Sequence, residues 1–122
     1  MKLFLCLLSL LMTSCYQVER NCNDYKTGNF KSTITIDGKD YVSTFTRNDT
    51  LQTETFHGKT DSATVRWIND CEMVFKTINP KSMSDKKDVH LKILTTTDSS
   101  YTFEYSYVGE TKKQKGVAVK IK

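Results

Sequence analysis

Long apolar runs are nearly absent from this chain. After its first dozen residues, nothing is apolar enough to span a bilayer, which takes roughly 20 residues as a helix. Histidine is scarce as well: His57 and His90 are the only two. Neither shows ligand spacing with the cysteines, which argues against a zinc site and leaves no cofactor implied. There is no glycine-rich loop to cradle a phosphate and no paired-carboxylate spacing. The net charge is only +4. The basic residues are scattered apart from Lys86-Lys87 and Lys112-Lys113-Gln114-Lys115, whereas a nucleic-acid surface needs a basic stripe with interleaved aromatics. No nucleic-acid partner is expected. Catalytic candidates are equally thin. His57 falls at a strand end beside Gly58, and His90 alternates with Val89 and Leu91, so it points away from their face. Neither has a serine or carboxylate at a recurring motif spacing. A buried Glu54 would be a site candidate, but its strand reads as an edge that leaves it solvated. The chain is not expected to be an enzyme.

What is present is strand after strand. Phe30, Ser32, Ile34 and Ile36 alternate with polar residues, and Asp37-Gly38 is a strong hairpin signal. Tyr41, Ser43 and Phe45 continue the alternation to a turn at Asn48-Asp49. Thr50 to His57 is strand-like, but Gln52 and Glu54 share a face with Phe56, so this strand is either an edge or the lining of a polar interior. The longest irregular stretch, Asn79 to Lys87, holds the only proline, Pro80, with room for one helical turn. Val89, Leu91 and Ile93 follow. Next come Tyr101, Phe103, Tyr105 and Tyr107, four aromatics on one face, and last Val117, Val119 and Ile121. Eight strands with short connections predict an all-β antiparallel meander closed as a small barrel, with a two-sheet sandwich as the alternative.

The central hairpin is Ala63 to Phe75. A three-residue loop, Ile68-Asn69-Asp70, would pair Trp67 with Cys71, Val65 with Met73 and Ala63 with Phe75, with Asp70 left-handed. That register places any Cys71 disulfide against the indole. Trp67, Met73, Phe75, Tyr101, Phe103 and Tyr105 then line either a core or a cavity, since an eight-stranded barrel has room for side chains or one small ligand.

The N-terminus gives a compartment. Lys2 followed by about ten apolar residues fits a secretory signal. Met12-Thr13-Ser14-Cys15 resembles the lipobox of bacterial lipoproteins, with Met12 where leucine is commoner. The resemblance implies cleavage before Cys15 and lipid on its sulfur and amine. Residues 1–14 are then a signal peptide, 15–21 a lipidated tether and 22–122 a single β domain. Cys6 leaves with the signal and Cys15 takes lipid. Cys22 and Cys71 remain as an even pair in an oxidising compartment, either bridged or as two buried thiols.

The mature chain resembles small envelope lipoproteins of Bacteroidetes, notably flavobacteria. The resemblance rests on the lipobox, on Cys22-x-x-Tyr25-Lys26-Thr27-Gly28-x-Phe30, and on Trp67-x-x-x-Cys71 after Gln52-x-Glu54. It implies anchorage at the bacterial outer membrane and supports the Cys22–Cys71 pair, but brings no catalytic residues. The first functional expectation is a non-enzymatic binding or structural module that meets another envelope macromolecule. The alternative is a lipocalin-like carrier of a small apolar ligand, which needs an open pocket of about 300 Å³ or more. Asp49-Thr50-Leu51 and Asp61-Ser62-Ala63 also resemble the O-glycosylation motif of such proteins, with Thr50 and Ser62 expected to be exposed.

Overall fold

The computed structural model describes residues 20–121. The signal, the lipobox and Cys15 lie outside the described residues. Eight strands follow one another: β1 (Gly28–Ile36), β2 (Lys39–Arg47), β3 (Leu51–Phe56), β4 (Lys59–Asn69), β5 (Glu72–Thr77), β6 (Val89–Thr96), β7 (Ser100–Tyr107) and β8 (Gln114–Ile121). Each pairs antiparallel with the next, and β8 returns to β1 through Ser32↔Ala118 and its neighbours. The sheet is a closed barrel in simple meander order. The sandwich alternative falls, and so does the reading of β3 as an edge, because β3 pairs with both β2 and β4.

Local chemistry sets the turns. Asp37-Gly38 and His57-Gly58 both take positive φ at both positions, 51° and 77° in the first and 49° and 75° in the second. This geometry twists a two-residue hairpin the same way as its strands. Asn48 closes the β2–β3 turn by accepting the Thr50 and Leu51 amides on Oδ1 at 3.0 and 2.9 Å. Alternation then carries Phe30, Ser32, Ser43, Phe45, Arg47, Val65, Met73, Phe75, Leu91, Ile93, Tyr101, Phe103 and Ala118 into the buried interior. Gly116 on β8 is required by close approach: a Cβ there would lie 2.6 Å from Phe103 Cζ and 2.9 Å from the Thr33 carbonyl.

The central hairpin keeps its expected face but not its expected register. Trp67 pairs with Met73, Val65 with Phe75 and Ala63 with Thr77, and Asn69 faces Glu72 across an Asp70-Cys71 turn. Cys71 therefore sits in the turn and not opposite Trp67. Asp70 does not take the left-handed conformation. The cause is Asn69, whose Oδ1 accepts the Cys71 amide at 2.9 Å and whose Nδ2 donates to Glu72. That closes the turn one residue later than expected. The extra residue is absorbed as a bulge at Ile68, which is exposed. A bulge adds one residue to one strand, so both apolar sets still face inward.

One end of the barrel is plugged. A single 3-10 turn, η1 (Cys22–Tyr25), precedes β1, and a disulfide joins Cys22 to Cys71 with a Cα–Cα distance of 5.3 Å. Tyr25 is 1% exposed. Its hydroxyl donates to the Thr97 carbonyl and its ring packs on Tyr101 at 5.0 Å. Lys120 Nζ donates to the Asp24 carbonyl, the Asn21 amide donates to Thr96 Oγ1, and Lys26 pairs with Asp70 at 3.3 Å. These partners belong to the β4–β5 turn, the end of β6 with the β6–β7 turn, and the end of β8, so η1 and the residues flanking it tie together the rim they cover.

Candidate functional site

The opposite end of the barrel is open to a cavity of about 310 Å³. Phe45, Phe75, Phe103, Tyr105, Leu91 and Ile34 supply its apolar walls, and Arg47, Gln52, Glu54 and Asp61 its polar groups. The room comes from small inward residues, Ser32 on β1 and Ala63 on β4, facing large ones. The Ser32 and Ser43 hydroxyls satisfy each other at 2.8 Å, so neither is left unpaired in the interior.

Arg47 forms the floor and is 2% exposed. Its Nη2 donates to the Tyr25 carbonyl at 2.6 Å and to the Tyr101 hydroxyl at 3.2 Å. Its Nη1 donates to Gln52 Oε1 at 3.0 Å and to Met73 Sδ at 3.6 Å. The guanidinium carbon lies 5.1–5.9 Å from the rings of Phe30, Phe45, Trp67 and Tyr101. Each such contact is worth about 0.5–2 kcal/mol, and together they spread the charge over π faces. No carboxylate pairs with Arg47 among the described residues, and its Nε–H has no acceptor. A buried cation is normally paired, so this one is exceptional.

The mouth carries the opposite sign. Glu54 on β3 and Asp61 on β4 are direct cross-strand partners on the inward face. Like charges placed opposite each other are destabilising. Burial, and then the Asp61 charge, raise the Glu54 pKa above its ordinary value. Burial also raises the hydroxyl pKa of Tyr105, with the Glu54 charge adding to it. Neither Glu54 nor Asp61 makes a side-chain hydrogen bond or ion pair among the described residues. Beside the mouth, a second hollow shares Val89 and Tyr105 with the cavity and extends under Gly109 to Lys112.

The aromatic set expected from the sequence divides in two. Phe75, Tyr101, Phe103 and Tyr105 line the cavity. Met73 is wholly buried in the core, and Trp67 packs against that core half-buried. The Trp67 Nε1–H has no acceptor among the described residues. His57 is spent on the β3–β4 turn. His90 projects outward as expected, but it is not free of carboxylates: its Nε2 lies 3.1 Å from Glu72 Oε1. Donation from Asn69, with His90 and Lys92 nearby, holds the Glu72 pKa below its ordinary value. This pair sits on the outer wall, away from the cavity. Thr50 is exposed at its turn, whereas Ser62 lies within β4, half-buried and bonded to Thr53 Oγ1 at 3.2 Å. Among the described residues no three His, Cys, Asp or Glu side chains gather as a metal would need.

Arg47 is the residue that sequence reasoning missed. The alternation Tyr41, Ser43, Phe45 continues to it as the last residue of β2, directly before the Asn48-Asp49 turn. No family model, curated protein or solved structure matches the chain, so the reading of the site rests on its own geometry.

Proposed function

We propose that the barrel is a non-enzymatic binding module that takes one small amphipathic ligand through its open end. The observation that carries this reading is the cavity of about 310 Å³, which falls at the lower end of small-molecule sites. The plug closes the far end, so the ligand has one way in and out. The walls are apolar as a carrier needs, but the charged floor and mouth make the fitting ligand amphipathic instead of purely apolar. Following the lipobox resemblance, we further propose that the mature chain hangs from the outer membrane by lipid on Cys15. A tether of about seven residues would leave the barrel close to the bilayer surface.

Docking of another macromolecule has one observation in its favour. Val42, Val117, Val119 and Ile121 are each more than 40% exposed on the outer wall of β2 and β8. The cavity is the more specific feature, and the ligand reading is preferred.

The test uses the chain carrying Cys15→Ser, which has no lipid to compete for a probe. Titration with an environment-sensitive naphthalene dye is expected to give saturable one-to-one binding. Ala63→Phe, which fills the cavity from its wall, is expected to weaken that binding at least tenfold while the protein stays folded. Dye binding unaffected by Ala63→Phe contradicts the reading.

A further inference from the structure

The two ends of the cavity carry opposite charges, and no ion pair among the described residues neutralises either. At the floor, Arg47 is almost fully buried, has no carboxylate partner among the described residues, and leaves Nε–H unpaired. At the mouth, the facing carboxyls of Glu54 and Asp61 have no cationic partner among the described residues. Resting on the ligand-binding reading above, we propose that the cavity takes a small zwitterion with an apolar middle, its carboxylate against Arg47 and its ammonium between Glu54 and Asp61.

The floor can exchange its partners. The two acceptors on Arg47 Nη1 are an amide oxygen, Gln52 Oε1, and a thioether, Met73 Sδ. Both are neutral. The guanidinium already lends its charge to both bonds, and an ionised carboxylate adds its own opposite charge in a water-poor interior, so a ligand carboxylate displaces them. The freed Gln52 amide then lies in the cavity wall, able to donate to the same ligand. The Nη2 bonds to Tyr25 and Tyr101 are untouched, so the plug stays fixed while the ligand binds.

Register sets the length of the ligand. Phe45 faces Glu54 and Arg47 faces Gln52 across β2 and β3. Arg47 and Glu54 are thus diagonal neighbours, roughly 7–8 Å apart at Cα. The guanidinium turns away toward Tyr25, which lengthens the span between the charges. An α-amino acid has its charges on adjacent carbons and cannot meet both ends. An ω-amino acid or a short peptide can, and Phe103, Tyr105 and Phe75 line the stretch between for its apolar middle.

Four matched probes test this on the Cys15→Ser chain: para-(aminoethyl)benzoate, para-ethylbenzoate without the amine, phenethylamine without the carboxylate, and neutral ethylbenzene. The expected result is that the zwitterion binds at least tenfold tighter than each of the others. The Gln52 side-chain amide and the Glu54 carboxyl carbon should both shift in NMR spectra as it binds. Glu54→Gln should cut zwitterion affinity about tenfold while leaving para-ethylbenzoate unchanged or tighter. This variant leaves the floor intact, so the test does not depend on an Arg47 variant folding. Equal or tighter binding of para-ethylbenzoate or phenethylamine overturns the zwitterion assignment. Ethylbenzene binding alone overturns it too, and with it the amphipathic character of the ligand, but leaves the cavity standing as a ligand site. If none of the four shifts a cavity residue, both readings fall.

Discussion

Glu54 sits half-buried beside a like charge, and its ionisation works against the fold. Its folded pKa lies above the ordinary 4.5 because burial and then Asp61 disfavour the anion. Between the ordinary and the raised value the folded state holds a proton that the unfolded chain has released. Stability therefore falls as pH rises through that window and is flat above it. Glu54→Gln should remove this decline. The variant should be more stable than the parent near pH 7 and show little difference near pH 4, in urea denaturation at both. An equal change at the two pH values contradicts the assignment. The same residue shows what the sequence conveyed at this scale. Gln52 and Glu54 sharing a face with Phe56 already pointed to a polar interior or an edge, and only the pairing of β3 on both sides decides for the interior. Arg47 was hidden by its type, since arginine is almost never fully buried unless paired. The aromatic cage that accepts it is assembled from β1, β2, β4 and β7, too far apart in sequence for local periodicity to reveal.

The plug and the hairpin turns are the elements that decide whether the cavity has a floor. The Cys22–Cys71 bridge closes a loop with a sequence separation of 49. Loop entropy then gives it about 4 kcal/mol of stability. Cys22→Ser with Cys71→Ser should lower stability by about that much. It should also speed amide exchange at Tyr25 and Lys26 ahead of β1. Exchange at the plug as slow as in the bridged protein would show that Tyr25, Lys120 and Arg47 hold it without the bridge. On β8, Gly116→Ala should cost roughly 1–3 kcal/mol, because the new methyl meets the Phe103 ring and the Thr33 carbonyl where the wall is already packed. A neutral outcome by thermal denaturation would mean that Phe103 gives way. Strand identity was legible because period-two alternation is strong. The register of β4 and β5 was not, because a side-chain bond from Asn69 and a bulge at Ile68 override simple loop counting.

At the scale of the whole molecule, the meander of eight strands follows from alternation and turn signals. Its closure does not, since a sandwich buries the same inward faces. The pairing of β1 with β8 decides it, and that pairing joins the two ends of the domain in sequence. The cavity was illegible for a related reason: its volume depends on where Ser32, Ala63 and Phe103 fall around the circumference. The central claim is that this interior space accepts a ligand from the open end while the plugged end stays shut. Carbon-13 methyl NMR of the Cys15→Ser chain titrated with para-ethylbenzoate, an amphipathic probe, bears on it without intermediaries. Saturable shifts are expected at Ile34, Ala63, Val89 and Leu91, with the methyl of Ala118, which does not line the cavity, unmoved. Shifts confined to Val117, Val119 and Ile121 on the outer wall, or none at any cavity methyl, would contradict it.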